Sequence, residues 1–94
     1  MVTELADFSI DPRHPEDFLA AYRGARHLLL DAGASDVSMS RGVESPDRFV
    51  MLVAWDSLEQ HQAFRAGPTF ADWRAAIGGF FAADPRVEHL SAVD

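Results

Sequence analysis

The chain has 94 residues, and 48% of them are hydrophobic, which is enough to fill the core of one small domain and argues against an intrinsically disordered protein. Eight basic residues, all arginine, face 15 acidic ones, and the formal charge of −7 makes nucleic acids and anionic membrane surfaces poor partners. The absence of cysteine excludes disulfides, thiolate nucleophiles and cysteine-ligated metals, and the absence of lysine excludes a Schiff base and a Walker motif.

We expect no targeting signal in the N-terminal segment. Residues 1–5 lack a basic stretch and a long apolar stretch, and no apolar run approaches the roughly 20 residues that cross a bilayer. The absence of lysine, with abundant alanine, arginine and aspartate, is typical of a GC-rich bacterial genome. We expect a soluble, cytoplasmic bacterial protein with a single domain over residues 1–94.

The first two elements are predicted to be a strand and a helix. Residues 2–10 alternate in polarity, which predicts a strand with an apolar face. Its predicted inward residues are Val2, Ala6, Phe8 and Ile10. Pro15 suits the first turn of a helix whose apolar residues recur at steps of four and three, and Gly33 suits its end. The predicted inward residues of this helix are Phe18, Tyr22, Ala25, Leu29 and Ala32.

A hairpin is predicted next. Residues 35–43 alternate in polarity as a second strand, residues 44–48 form a turn, and residues 49–55 form a third strand. The third strand is apolar at every position, from Phe49 to Trp55. Since a sheet with one solvated face should alternate, both faces of this strand must be covered.

The remaining elements are two helices and a last strand. Asp56 and Glu59 have the spacing of a capping box, which predicts a helix start, and Gly67-Pro68 predicts its end. Thr69 opens another helix, and residues 87–93 read as a final strand. The order β-α-β-β-α-α-β predicts an α+β, ferredoxin-like domain with a four-stranded antiparallel sheet and its helices on one face.

The apolar third strand also predicts a partner. The helices of so short a chain cover only one face of a four-stranded sheet, so a second copy of the chain is the expected cover for the other face. The alternative is that Val50, Leu52 and Ala54 form a small exposed patch, which single domains tolerate. We favour the homodimer, paired through the sheet face.

Two segments carry a resemblance to a known family. Residues 44–61 read ESPDRFVMLVAWDSLEQH, a turn, an apolar strand ending in Trp and an acid-capped helix with a His, and residues 67–70 read GPTF, a break before the last helix. Over nearly its whole length the chain resembles the antibiotic-biosynthesis monooxygenase-like family of the dimeric α+β-barrel superfamily. The resemblance implies a dimeric barrel and, through the family's cofactor-free oxygenases, oxidation of a small aromatic or polyketide-type substrate without a cofactor.

The chain departs from two subgroups of that family. Haem-degrading members carry an Asn on the first strand and a haem-ligating His on the last helix. This chain has no Asn, and alignment on Gly67-Pro68 puts Trp73 in place of that His, which disfavours haem degradation. The cofactor-free polyketide oxygenases use an Asn and a Trp around the substrate, and here only the Trp has candidates, Trp73 and Trp55.

His61 is the candidate catalytic residue. It lies three residues after Leu58 and three before Phe64, on the predicted inward side of its helix. A cofactor-free oxygenase needs a base, because deprotonation of a phenol or an anthrone yields the anion that reduces O₂, and an imidazole with a pKa of about 6.5 is suited to that task. The alternative is a half-buried structural His bonded to backbone or to a carboxylate.

Aromatic residues supply a candidate binding pocket. The predicted substrate-binding residues are Trp73, Phe64, Phe70, Tyr22, Phe80 and Arg74. The rings would stack against a flat substrate, and Arg74 would stabilise a developing oxyanion, although aromatics at helical spacing also serve simply as core. His14, His27 and His89 are dispersed and predict no metal site, and whether His89 meets His61 in space is left open by the sequence.

Two functions are therefore carried forward. The first is a cofactor-independent monooxygenase that acts on a small aromatic or polyketide-type substrate, with His61 as proton acceptor. The alternative is a non-catalytic domain of the same fold that binds a small apolar ligand or serves as a dimerisation module.

Overall fold

The computed structural model describes all 94 residues and contains one four-stranded sheet. Its strands are β1 (Val2–Ser9), β2 (Asp36–Arg41), β3 (Arg48–Trp55) and β4 (Arg86–Leu90). They lie in the order β2-β3-β1-β4, and each neighbouring pair is antiparallel. The predicted α+β, ferredoxin-like sheet is therefore confirmed, with β1 and β3 at its centre.

The helices come from two segments of the chain. They are α1 (Pro15–Ala25), α2 (His27–Asp31), α3 (Leu58–Ala66) and α4 (Thr69–Ile77), followed by a single 3₁₀ turn at Gly78–Phe80. Each α-helix buries apolar residues in a core cluster that also contains the inward residues of the sheet. No helix is both long and apolar enough to cross a membrane.

The long helix predicted between β1 and β2 is divided in two. The break lies at Arg26, whose guanidinium donates from Nε and Nη2 to the carbonyl of Val37 at 3.1 and 2.7 Å, which ties the junction to β2. The predicted stop at Gly33 is found, with φ of 112° and its N–H donated to Leu30 O at 3.0 Å. Glycine suits this position because other residues rarely adopt a positive φ.

The cap of α3 lies one residue later than predicted. Ser57, not Asp56, is the N-cap, and its hydroxyl accepts a hydrogen bond from the N–H of Gln60 at 3.1 Å. The side chain of Gln60 accepts in return from the N–H of Asp56 at 2.7 Å, so the reciprocal pair is Ser57 and Gln60. A hydroxyl followed three residues later by Gln satisfies the same free backbone donors that an Asp–Glu pair was expected to satisfy.

The two edge strands are shorter than predicted. β2 ends at Arg41, because Gly42 turns away and donates its N–H to Arg48 O at 2.8 Å to close the hairpin. A side chain at residue 42 would collide with the carbonyl oxygen of Ser45, so this turn requires glycine. β4 ends at Leu90, which pairs with Thr3, the second residue of β1. Because the two strands are antiparallel, only one residue of β1 remains for residues 91–93 to pair with.

The core lies between the helices and one face of the sheet. Phe49, Met51, Val53 and Trp55 of β3 are at most 1% exposed. The ring of Phe18 on α1 packs between those of Phe8 and Phe49, with centroids 5.8 and 5.1 Å away. Aromatic side chains bury large apolar areas, so this cluster is a major stabilising element of the domain.

The opposite face of the sheet is uncovered within this chain. Leu52 of β3 is 40% exposed and lies directly across from Leu5 of β1, with Val50 and Ala54 on the same side of β3. Leu90 at the edge strand is 44% exposed. The expectation that β3 is apolar on both faces is thus met, and the pairing of this face with a second copy stays a prediction.

Candidate active site

A cavity of about 330 Å³ lies between the β1 and β4 side of the sheet and helices α3 and α4. Its apolar wall includes Phe8, Met51, Phe70, Trp73, Ile77 and Phe81. Its polar lining consists of Glu4, His61, Arg65, Arg74 and Asp84. The volume falls at the lower end of the roughly 300–1,000 Å³ of small-molecule sites, and mostly apolar walls with a few polar groups are typical of such sites.

Glu4 is an acidic side chain in the buried layer of a strand. The alternation of β1 turns it to the same face as Ala6 and Phe8, and it is 5% exposed. Trp55, on the neighbouring strand, donates its indole N–H to Glu4 Oε1 at 3.0 Å. Burial raises the pKa of Glu4, and the Trp55 hydrogen bond and the charge of Arg65 oppose that rise.

The second carboxylate oxygen of Glu4, Oε2, is accessible from the cavity. Glu4 Oε2 makes no hydrogen bond with the protein. Every fully buried side-chain nitrogen or oxygen of the chain does have a hydrogen-bond partner, so Oε2 cannot be one of the fully buried atoms. Oε2 is therefore not sealed by protein atoms, and Glu4 lines the cavity. This carboxylate can exchange a proton with a bound molecule.

His61 lies over this carboxylate on the first turns of α3. It is 3% exposed, its Nε2 lies 3.2 Å from Glu4 Oε1, and its ring stacks on that of Trp55. Burial lowers the pKa of His61 to about 4, with smaller contributions from His89 and Arg65. The imidazole is consequently neutral at neutral pH.

His89 completes a row of three side chains. It lies directly across from Glu4 in the β1–β4 pairing, and its Nε2 is 2.7 Å from His61 Nδ1. Unlike the other two, His89 is exposed. The row Glu4–His61–His89 thus runs from the cavity lining to the protein surface.

The predicted substrate-binding residues divide into two groups. Phe70, Trp73 and Arg74 line the cavity together with His61. Phe64, Tyr22 and Phe80 do not line it. Phe64 packs behind it against Phe70 at 5.7 Å and Tyr22 against Trp73 at 6.4 Å, whereas Phe80 packs on Phe18, a core residue outside the lining, at 6.4 Å. The roles of all six in binding stay predictions.

Two arginines of the lining lack a carboxylate partner. The guanidinium of Arg65 lies over the ring of Phe70 at 5.9 Å, and that of Arg74 lies over the ring of Phe81 at 5.3 Å. Four other arginines of the chain form ion pairs: Arg13, Arg41, Arg48 and Arg86. The cavity therefore presents two guanidinium groups without an ion-pair partner, beside the carboxylates of Glu4 and Asp84.

Glu4 and Arg65 are two site residues that were not predicted from the sequence. The signal for Glu4 was present, because strict alternation puts residue 4 on the same face as residues 2, 6 and 8. Arg65 follows the buried His61 at the four-residue spacing that puts side chains on one helix face. No group of three or more histidine, aspartate or glutamate side chains is arranged to hold a metal ion.

Comparison with known proteins identifies the family. Residues 1–76 match the sequence profile of the family described as antibiotic biosynthesis monooxygenase. The chain belongs to this family. A relative from Bacillus subtilis (strain 168), the uncharacterized protein YczJ, is 30% identical over 95 residues, which span 99% of this chain and all of YczJ.

Solved structures of other proteins share the fold. The crystal structure of a candidate antibiotic biosynthesis monooxygenase from Bordetella bronchiseptica is 33% identical, with a TM-score of 0.94 over 98% of this chain and 96% of that one. SnoaB, a cofactor-independent oxygenase from Streptomyces nogalater, is 15% identical, with a TM-score of 0.86 over 99% of this chain and 93% of SnoaB. At that identity, the likeness to SnoaB shows the fold alone.

Proposed function

We propose that the cavity is the active site of a cofactor-independent monooxygenase that acts on a small aromatic or polyketide-type substrate. The observation that carries the proposal is the combination of aromatic walls with a buried carboxylate and imidazole, 3.2 Å apart, at one end of a 330 Å³ cavity. Family membership supports a monooxygenase-type role, and the SnoaB likeness adds an example of this fold in a cofactor-independent oxygenase.

The chemistry requires a base and a dry, flat site. Removal of a proton from an anthrone or a phenol gives an electron-rich anion, which transfers electrons to O₂. One oxygen atom then joins the substrate carbon, and in the anthrone case the second leaves as water while the carbon becomes a ketone. The pair of Glu4 and His61 accepts the proton in this proposal, and the lowered pKa of His61, about 4, keeps its ring unprotonated and available at neutral pH.

The remaining lining residues hold the substrate. Trp73 and Phe70 provide the stacking surface, Phe64 and Tyr22 support it from behind, and Phe80 acts only through the core, where it packs on Phe18. Arg74 stabilises the negative charge that develops on the substrate oxygen. No resident cofactor has a role in this scheme.

Oxygen uptake with an anthrone substrate tests the proposal. We expect the wild-type protein to consume O₂ and form the quinone, and His61→Ala to lose most of that rate. His27→Ala is the matched control, because His27 is an exposed histidine on α2. Equal rates for His61→Ala and the wild type would contradict the proposal.

One observation favours a second candidate, a non-catalytic domain that binds a small apolar ligand. Both nitrogens of His61 already have partners within the protein, at 2.7 Å to His89 and 3.2 Å to Glu4, as expected for a structural histidine. Quenching of tryptophan fluorescence by an anthrone, with no O₂ consumption, would support this function instead.

We also propose that the chain works as a homodimer through its open sheet face. The face has an apolar centre, Leu5 and Leu52, and a further apolar residue at its edge, Leu90, with polar residues such as Ser38 and Glu88 beside them. Apolar centres with polar rims are typical of protein interfaces, and a two-fold pairing buries the same patch on both copies.

A further inference from the structure

The row of ionisable side chains at the cavity continues to the protein surface. Glu4 is 5% exposed and lines the cavity, His61 is 3% exposed, and His89 is exposed. Consecutive members are 3.2 and 2.7 Å apart, within or close to the distances at which protons pass between heavy atoms.

We propose that Glu4, His61 and His89 form a proton relay, in which Glu4 takes the proton from the bound substrate and the two imidazoles carry it to solvent. This rests on the proposed function for the identity of the proton donor, and it deepens that function by naming the atoms that receive and release the proton. Glu4 Oε2 is the receiving atom, because it lines the cavity without a hydrogen-bond partner in the protein.

The three side chains can share their protons in two arrangements, which differ in whether Glu4 is ionised or protonated. With Glu4 ionised, His61 carries its proton on Nε2, toward the carboxylate, and its Nδ1 accepts from His89 Nε2–H. With Glu4 protonated at Oε2, rotation of the carboxyl group about Cγ–Cδ exchanges its two oxygens and brings the hydrogen to face His61 Nε2. His61 then carries its proton on Nδ1, and His89 accepts at Nε2 and carries its own on Nδ1. Both arrangements use the same three residues and the same distances.

The second arrangement holds one proton more than the first. To pass from the second to the first, His89 releases its Nδ1 proton to water, His61 passes its Nδ1 proton to His89, and Glu4 passes its proton to His61 Nε2. No imidazolium remains at the end of this step, which matters because burial disfavours a charged His61 ring. The carboxylate is regenerated and one proton has reached the solvent.

The groups around the row are compatible with this direction of transfer. Arg65 on α3 lines the cavity and its charge stabilises the ionised carboxylate, and Arg74 on α4 and Asp84, before β4, line the same cavity. Trp55 on β3 is neutral and donates to Glu4 Oε1, and after the carboxyl group turns it donates to the oxygen that takes the same place, so it carries no proton in the transfer.

Nitrogen-15 NMR of the substrate-free protein tests the relay without any turnover. We expect His61 to switch from the Nε2–H to the Nδ1–H tautomer as Glu4 becomes protonated on acidification. In Glu4→Gln, which keeps the size and a Trp55 acceptor, that switch should disappear. A single His61 tautomer through the titration of Glu4, or the same switch in Glu4→Gln, would overturn the proposal.

Rescue of His89→Gln by added imidazole tests the relay during turnover. In dilute buffer we expect His89→Gln to oxidise an anthrone at least several times more slowly than the wild type, and added imidazole to restore the rate. His27→Gln, a change at an exposed histidine outside the row, should leave the rate and its buffer dependence unchanged. A His89→Gln rate equal to wild type at every buffer concentration would overturn the exit path.

The NMR and the kinetic experiments distinguish a failure of the relay from a failure of the monooxygenase proposal. If no anthrone is oxidised by any variant, the monooxygenase proposal fails, while the NMR experiment still decides whether the three residues share a proton. If oxidation occurs but His61 never changes tautomer, the function stands and the relay is wrong.

Discussion

The imidazole of His61 stacks on the indole of Trp55, with ring centroids 5.1 Å apart and planes inclined by 17°. The same indole donates its N–H to Glu4 Oε1 at 3.0 Å, so one tryptophan positions both members of the buried acid–base pair. Since Trp55 ends β3 and is fully buried, the geometry of the pair is determined by the core rather than by a loop. Sites held by packed elements keep their geometry better than sites on loops.

Trp55→Phe tests this positioning. The substitution keeps an aromatic ring for the stack but removes the donor to Glu4, and a hydrogen bond to a charged group contributes about 1.5–3 kcal/mol. We expect the free energy of unfolding, measured with urea, to fall by about that amount at neutral pH and the pKa of Glu4 to rise further. Trp73→Phe is the control, because the Trp73 indole donates to no protein group. Equal losses in the two variants would contradict the account.

The pKa of His61 predicts a pH dependence of stability. An unfolded histidine has a pKa near 6.5, while that of folded His61 is about 4, so between these values the unfolded state binds more protons. Stability therefore falls as the pH drops from 6.5 to 4, by on the order of 3 kcal/mol from this residue. The raised pKa of Glu4 acts oppositely, because its contribution is lost as the pH rises through the folded value.

Denaturant unfolding between pH 4 and 7 measures these slopes. We expect His61→Gln to remove the part of the acid destabilisation that begins near pH 6.5. His27→Gln should retain it, since an exposed histidine gains little from folding. An unchanged slope in His61→Gln would contradict the pKa assigned to this residue.

The open sheet face predicts a dimer that one charge will disrupt. Leu52→Glu puts a carboxylate at the centre of the face, where a partner would have to desolvate it, so we expect light scattering to return the mass of one chain instead of two. Leu58→Glu is the matched control, because Leu58 on α3 is 36% exposed against 40% for Leu52 but lies on the helical side. A wild-type chain that scatters as one 10.4 kDa unit would contradict the dimer.

Arg74 is expected to act on the reaction rather than on the fold. It lines the cavity over Phe81 and has no ion pair, so its charge is available to a substrate oxygen. We expect Arg74→Gln to lower kcat for an anthrone by about tenfold or more, and the melting temperature to stay near that of the wild type. Arg23→Gln is the control, since Arg23 is exposed on α1 and outside the cavity. Equal kcat values in both variants would remove Arg74 from the mechanism.

Local sequence patterns were sufficient to predict the fold and part of the candidate site. The run from Phe49 to Trp55 showed that β3 is apolar on both faces, and the spacing of His61 from Phe64 predicted its burial. The cap of α3 was misassigned by one residue because Asp56 and Ser57 are both good N-cap residues, and their choice depends on which backbone N–H groups Gln60 can satisfy.

The rest of the site depends on pairing between distant strands. His89 meets His61 only because β4 pairs with β1 in the register that sets residue 89 opposite residue 4, and single-sequence periodicity does not determine that register. Glu4 was passed over because an acidic residue inside an apolar strand face contradicts the usual pattern. Such contradictions between local rule and structure are expected at functional sites.

Anaerobic mixing of the wild-type protein with an anthrone tests the central claim most directly. Without O₂ the reaction stops after proton removal, so the account predicts the absorption spectrum of the bound anthrone anion at neutral pH, and its loss in Glu4→Gln and His61→Ala. A bound anthrone that keeps the spectrum of its neutral form in the wild-type protein would contradict the claim that this cavity takes a proton from its substrate.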